Sequence, residues 1–296
     1  MGNHLLCIVG PTACGKSAVA ARLAERIGGE VVNCDSVQIY RELNAGSAKP
    51  LPEETRSVPH HMLDCACAFD PWNAARYARE ASRRAEEIRS RGNIPVVCGG
   101  SGLYMRALTD GLADIPDCPR RDHGPLAYEK LLAADPVTAA RLPRGDTQRV
   151  ARALDVYAAT GRPLSSFFAA APPPAHTAAY IGITRDRQEL RERVALRAAA
   201  MLRGGLCEET DALVKSGLSA ARGPLLSIGY KQALQYLSGL LSAEELPEAV
   251  NSATMAYAKR QYTWFRRLPG IRWFDAASDG FFNDLARYAE GLAAGG

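Results

Sequence analysis

The chain has 296 residues, 47% of them hydrophobic and 23% charged. That is the composition of a globular protein with a sizeable buried core, and it excludes a disordered chain. The formal charge of +4 is too small to identify a nucleic-acid partner, so the placement of the basic residues matters more than their sum.

Residues 5–9 form a predicted buried strand. Next comes Gly10-Pro11-Thr12-Ala13-Cys14-Gly15-Lys16-Ser17, which fits G-x-x-x-x-G-K-[ST], the pattern that ordinarily marks nucleotide and ATP binding. Residues 17–27 carry helical periodicity, and Gly28-Gly29 stops them. Residues 30–34 are a second strand, with Asp35 and Ser36 at its carboxyl end. Strand, loop, helix and strand are the setting that a phosphate loop requires. Residues 44–61 are turn-rich. Residues 73–91 are an amphipathic helix with Tyr77, Ala81, Ala85 and Ile88 on one face. Residues 94–98 are a third strand, and Gly99-Gly100-Ser101-Gly102 turns into a helix from residue 103. This alternation predicts an α/β fold: a parallel, P-loop NTPase-like sheet flanked by helices.

After Gly111 the character changes. Residues 112–125 hold three prolines and Arg120-Arg121. Residues 126–134, 136–142 and 146–160 read as short helices, and residues 169–174 as an Ala/Pro linker. The expected organisation is a discontinuous core, 1–112 and 177–296, with an all-helical insertion at 113–176. A strand resumes at 179–184, and residues 190–215 and 246–267 read as two long basic helices.

The loop at 10–17 and the following helix start make an anion site. Lys16 adds a point charge, and the Ser17 hydroxyl can reach Mg²⁺. An ATPase of this kind adds a strand ending in a metal-binding Asp. Here residues 94–98 end in Gly-Gly-Ser, and Asp64 stands at a less convincing strand end, so a diphosphate suits the loop as well as ATP does. Asp35 can accept a proton, hold Mg²⁺ through water, or cap the next turn. Ser101 can bind a phosphate oxygen or an amine, or cap the helix after it.

Arg185, Arg187, Arg191, Arg193, Arg197 and Arg203 crowd one segment, with Arg193 and Arg197 on one helix face. Late in the chain Lys259, Arg260, Arg266 and Arg267 interleave with Tyr257, Tyr262, Trp264 and Phe265. That mixture suits phosphate contacts and base stacking; for Trp264 and Phe265 core packing is the favoured reading. His60 and His61 lack a third metal ligand, and a structural histidine is expected there. The eight cysteines show no zinc spacing and read as buried, reduced thiols of a cytoplasmic, soluble protein. No apolar run reaches the ~20 residues of a membrane span.

Together these segments resemble the tRNA dimethylallyltransferases, also called tRNA isopentenyltransferases. The resemblance covers nearly the whole chain: GPTACGKS, DSVQIYRELNAGSAKP from residue 35, VPHHMLD from 58, IPVVCGGSGLYMRAL from 94, DTQRVARALDVYAATGRPLS from 146, RERVALRAAAMLRGGLCEET from 191, SIGYKQAL from 227 and AYAKRQYTWFRR from 256. It implies transfer of a dimethylallyl group from dimethylallyl diphosphate to N6 of the adenosine 3′ to the anticodon (position 37), in tRNAs reading UNN codons, with Mg²⁺ assisting. Residues 10–17 would cradle the diphosphate, with Ser17 on Mg²⁺ and Arg193 and Arg197 as further diphosphate contacts. Asp35 would take the N6 proton; Ser101, Lys16 and Arg197 complete the catalytic group.

The resemblance also implies an RNA-binding set. Asp35, Ser36, Val37, Gln38 and Ser101 would contact the extruded nucleotide, with Gln38 reading an adenine edge. Gln148, Arg149, Val150, Ala151 and Arg152 would flank the anticodon loop with Ile228, Gly229, Tyr230, Lys231 and Gln232. Arg120 and Arg121 would meet stem phosphates, so the insertion is expected to bind tRNA. Departures are a shortened insertion, Met255 where Arg is common, and no Cys/His tail of the eukaryotic kind; a bacterial-type monomer is expected. The competing readings are a nucleotide kinase or ATPase, an adenylate isopentenyltransferase, and an RNA-binding module with a structural nucleotide.

Overall fold

A computed structural model describes residues 4–111, 113, 115–116, 118–170, 176–221 and 223–294. Contacts divide the chain into two compact units, Met1–Thr109 with Ala175–Gly296, and Asp110–Pro174. The first unit is built on a six-stranded sheet, and all its strand pairs are parallel. Its strands are β1 (His4–Val9), β2 (Gly29–Asn33), β3 (His60–His61), β4 (Ile94–Gly99), β5 (Thr177–Thr184) and β6 (Arg272–Asp275), in the order β3-β2-β4-β1-β5-β6. This is the parallel sheet that the strand–helix alternation predicts.

The central strands are buried on both faces, so their apolar residues alternate between two cores. Leu5, Cys7, Val9, Val32 and Val97 face one core. It also takes in residues of α2 (Ala74–Ser90), α3 (Gly102–Thr109), α9 (Leu206–Lys215) and α10 (Tyr230–Leu237). Leu6, Ile8, Val31, Val96, Cys98 and Ile181 face the other, with residues of α1 (Lys16–Ile27) and α12 (Phe281–Ala294). The predicted stripe Tyr77, Ala81, Ala85 and Ile88 is the buried face of α2. Asn73 caps that helix by accepting from Arg76 N at 2.8 Å.

The basic segment 190–215 is not one helix. It is split between α8 (Arg187–Arg203) and α9. The break falls at Gly204-Gly205, where Gly205 has φ 86°, a left-handed conformation that a residue with a Cβ rarely adopts. α11 (Leu246–Phe265) is continuous. β3, β6, α10 and α12 have no counterpart in the sequence reading. β3 is two residues long and β6 four, too short to show periodicity. Phe265 is fully buried, but Trp264 remains 36% exposed, against the core packing expected for both. Cys65 is likewise exposed, whereas Cys7, Cys14, Cys34, Cys98 and Cys118 are buried. Burial pushes the Cys34 and Cys98 thiols up to about 12. Among the described residues no helix is long and apolar enough to cross a membrane.

The second unit contains α4 (Ala127–Ala134), α5 (Pro136–Ala139), α6 (Thr147–Thr160) and α7 (Leu164–Ala169). Leu131, Ala139, Val150, Ala153 and Leu154 form its core. α5 is shorter than the predicted helix 136–142, and α7 was not foreseen. Asp135 joins the pieces: it accepts from Thr138 N (3.0 Å), Thr138 Oγ1 (2.7 Å) and Ser165 N (2.9 Å). From residue 171 the predicted Ala/Pro linker lies outside the described residues.

Both histidines of β3 are structural. His60 Nδ1 lies 2.9 Å from Val58 O, and His61 Nε2 lies 2.6 Å from Glu30 Oε2. Glu30, with 4% of its side chain exposed, also accepts from Arg91 Nη2 (2.8 Å) and Asn93 Nδ2 (2.7 Å). Burial alone would raise its pKa, but the hydrogen bonds from Arg91, Asn93 and His61 prevail and lower it from 4.5 to about 2. A depressed folded value means stability that is fully present above pH 4.5 and lost as pH falls through 2. Glu30→Gln leaves a buried donor set without its carboxylate, and is expected to cost about 1–3 kcal/mol at neutral pH. Urea unfolding at pH 7 and pH 3 checks this: the gap between variant and wild type should narrow at the lower pH.

Candidate active site

Three loops meet at the carboxyl ends of adjacent strands: residues 10–15 after β1, residues 34–38 after β2 and residues 100–101 after β4. Open α/β sheets bind ligands at such ends. The turns are joined through backbone bonds, Cys34 N to Cys98 O (2.7 Å) and Ser101 N to Cys34 O (3.2 Å).

The first loop is held from outside by cations. Arg185 Nε donates to Cys14 O (2.9 Å), Arg193 Nε to Ala13 O (2.8 Å) and Lys16 Nζ to Pro11 O (3.4 Å). Ala13 adopts φ 64°. A trans peptide sets its N–H opposite its C=O, so fixing the Cys14 carbonyl on Arg185 turns the Gly15 N–H to the other side. That N–H joins the start of α1, where the unpaired amides and the helix dipole favour an anion. Ser17 stands exposed in the first turn of α1.

Arg197 reaches in from α8. Its Nη1 donates to Thr12 Oγ1 at 3.2 Å, and among the described residues it forms no ion pair. Burial pushes its pKa down, opposed by the charges of Asp35 and Glu54. Arg193 is more exposed, and its Nε is committed to the loop.

Asp35 Oδ1 accepts from Val37 N (2.9 Å) and Gln38 N (3.4 Å). One carboxylate oxygen therefore caps the turn, while Oδ2 takes no such bond among the described residues. The Ser101 hydroxyl accepts from Ser36 N (2.9 Å) and donates to Ser36 Oγ (3.1 Å). It fastens the second loop to the third. Asp64 adopts φ 51° and pairs with Lys49 at 2.5 Å.

A cavity of about 330 Å³ opens between these elements. Its lining mixes polar groups, Thr12, Asp35, Ser36, Arg197, Tyr257 and Arg260, with apolar ones, Val194, Ala198, Met201, Leu226, Ile228 and Val250. Two helices supply much of this lining at helical spacing, Val194, Arg197, Ala198 and Met201 from α8 and Val250, Thr254 and Tyr257 from α11.

The sequence-predicted RNA contacts divide. Ser36, Val37, Ile228 and Gly229 line the cavity. Gln38 is buried and both its amide hydrogens are committed, to Ser47 O (3.2 Å) and Ala48 O (2.8 Å), so it has no donor left for a base edge. Tyr230 is buried with its hydroxyl on Glu209 (2.6 Å), and Gln232 caps α10 through Gly229 N (2.9 Å). Both are scaffold, whereas Lys231 is exposed. In the second unit, Arg120, Arg121, Gln148, Arg149, Ala151 and Arg152 line a concavity of about 460 Å³. Val150 is 1% exposed and belongs to the core of that unit.

Two site residues escaped the sequence reading. Gln261 accepts from Thr12 N (2.7 Å) and donates to Gly100 O (2.9 Å). Arg185 was seen only as one of a crowd. The available signal was the series Val250, Thr254, Tyr257, Gln261, which keeps one face of α11 at the helical period. The Tyr257 hydroxyl also meets Gly100 O (3.3 Å), and burial, reinforced by the Asp35 charge, pushes its pKa up to about 12.

The donor set bears on a metal ion. Among the described residues no three His, Cys, Asp or Glu side chains gather as a metal cage. One exposed hydroxyl, Ser17, beside an anion-binding loop fits Mg²⁺, which keeps several waters and takes other ligands from phosphate oxygens.

Known proteins resemble this chain over most of its length. A family model described as IPP transferase matches residues 38–268, and one described as isopentenyl transferase matches residues 3–69. A tRNA dimethylallyltransferase of Koribacter versatilis is 41% identical over 97% of this chain and 96% of its own length. One from Geobacter sulfurreducens is 42% identical over 93% and 94%. The crystal structure of a tRNA isopentenylpyrophosphate transferase from Bacillus halodurans superposes with a TM-score of 0.75 at 31% identity, covering 98% of this chain and 96% of that one. A eukaryotic dimethylallyltransferase, described as acting on tRNA, gives 0.84 at 25% identity, covering 99% of this chain and 80% of that one. With the match extending over most of its length, the chain belongs to the IPP transferase family.

Proposed function

We propose that this chain transfers the dimethylallyl group of dimethylallyl diphosphate to N6 of the adenosine 3′ to the anticodon (position 37) in tRNAs reading UNN codons. The observation that carries the reading is a cavity whose lining brings together a carboxylate, Asp35, with one oxygen uncommitted among the described residues, an arginine, Arg197, without an ion pair among them, and a set of apolar side chains. An amine nucleophile, a diphosphate leaving group and a branched hydrocarbon ask for those three environments.

In the transfer, the bond from C1 of the prenyl group to the diphosphate oxygen breaks and a bond from N6 to C1 forms. Asp35 Oδ2 receives the N6 proton, and diphosphate carries away the electron pair of the broken bond. Residues 10–17 hold the diphosphate through backbone N–H groups, with Lys16, Arg197 and Arg193 opposing its charge. Ser17 would hold Mg²⁺, which would supply further charge neutralisation of the leaving group. Ser101 keeps the 34–38 loop in place beside the target base. That base leaves its stack to reach the cavity, as bases modified by enzymes do. The arginines at 120, 121, 149 and 152 contact RNA phosphates.

A monomer acting in the cytoplasm is part of the same proposal. The reading is tested by nucleoside analysis of tRNA from cells with and without the gene. N6-dimethylallyl adenosine or its derivatives should vanish with the gene and return with it. Persistence without the gene, in cells holding no second such enzyme, overturns the reading.

A further inference from the structure

One buried amide ties the loop after β1 to the loop after β4. Gln261 is 5% exposed. Its Oε1 accepts from Thr12 N at 2.7 Å and its Nε2 donates to Gly100 O at 2.9 Å. The partners fix the orientation of the amide, since an N–H must face the oxygen and a carbonyl must face the nitrogen. Thr12 belongs to the loop that would hold the diphosphate, and its hydroxyl accepts from Arg197. Gly100 precedes Ser101, which is bonded to Ser36, the neighbour of Asp35. The fit at Gly100 is close: a Cβ there would lie 2.2 Å from Gln261 Nε2. Anchoring of α11 has other sources, because Val250, Ala258 and Phe265 bury its apolar side.

We infer that Gln261 is a positioning residue that sets the distance between the diphosphate loop and the Asp35–Ser101 side, and so the reach from N6 to C1 of the prenyl donor. The inference rests on the prenyl-transfer reading. Displacement needs the reacting atoms in near-attack contact, and a misplacement of about 1 Å can cost about 10²-fold in rate. Hydrogen bonds in a dry interior hold such a distance better than apolar contact, because breaking either one strands a buried partner.

The test is a double-mutant cycle on the full chain, assayed with dimethylallyl diphosphate and an anticodon stem–loop RNA, with rates expressed per folded molecule by circular dichroism. Gln261→Glu keeps an acceptor for Thr12 N but sets an oxygen against Gly100 O. It is expected to lower kcat by about 10²-fold with KM for the donor nearly unchanged, because the diphosphate loop is still held. Gly100→Ala displaces the same amide and is expected to do likewise. The double variant should be no slower than the slower single one, since both remove one link. Gln261→Met frees both ends and should also raise KM. A kcat for Gln261→Glu equal to wild type, or losses that multiply in the double variant, overturns the inference. If Gln261→Glu does not fold, Gly100→Ala carries the same kcat-against-KM comparison. Wild-type transfer separates the two claims: its absence defeats the transferase reading, while normal transfer by wild type and variants alike defeats only the bridge.

Discussion

Asp35→Asn is expected to lower the turnover of prenyl transfer by about 10²–10⁴-fold while the affinity for diphosphate persists. Asparagine is the informative choice because Asp35 does two things. Its Oδ1 accepts the N–H groups of Val37 and Gln38 and so shapes the turn that follows β2. The asparagine carbonyl can still accept both bonds, but it cannot take a proton from an amine. Asp35→Ala removes both functions and should lose, in addition, about 0.5–1.5 kcal/mol of stability from the missing bonds. Single-turnover transfer, read beside diphosphate binding and thermal unfolding, separates them. Full turnover in the asparagine variant would reduce Asp35 to a turn former.

Arg197→Met should act on the donor instead. Loss of one preorganised contact to developing charge costs about 10²–10³-fold, here read in kcat/KM for dimethylallyl diphosphate. Competitive inhibition by diphosphate should weaken in parallel. The arginine is partly buried, hydrogen-bonded to Thr12 Oγ1, and without an ion pair among the described residues. A charge kept in that state is a cost to the empty protein. The same variant should therefore unfold at a temperature no lower than wild type, and loss of activity with retained stability marks a site residue. Arg197→Lys should not restore activity, because an ammonium lacks the planar fork that spans two phosphate oxygens. Unchanged donor kinetics in the methionine variant would remove Arg197 from the diphosphate site.

What the sequence revealed follows from how local each feature is. Residues 10–17 are contiguous and lie between a strand and a helix, so one pattern carries both loop and context. Asp35 and Ser101 were legible because each lies in the turn that follows a strand read from its apolar run. Gln261 was not, because its partners are Thr12 and Gly100, 249 and 161 positions away. The helical period groups Gln261 with Val250, Thr254 and Tyr257 on one face of α11, but no local pattern encodes contacts of that span. Other misreadings had a usable signal. The basic neighbours of Val150 suggest an RNA-facing run, although Val150, Ala153 and Leu154 fall on one apolar helix face. Tyr230 and Gln232 were likewise included with Ile228 and Gly229. The helix start at Tyr230 turns them into the core, where Glu209 and the Gly229 amide engage them. The division of 190–215 was written in Gly204-Gly205, where the backbone reverses to a left-handed conformation.

The central claim is that one cavity brings a prenyl diphosphate and an adenosine amine together. Its most direct test is incubation of the purified chain with Mg²⁺, labelled dimethylallyl diphosphate and an anticodon stem–loop whose 3′-adjacent position is adenosine. Label in the RNA should appear on N6 of that adenosine and equal the diphosphate released. A stem–loop with guanosine at the position should take up none. Diphosphate release without label in the RNA, or turnover of ATP in place of the prenyl donor, would contradict the account.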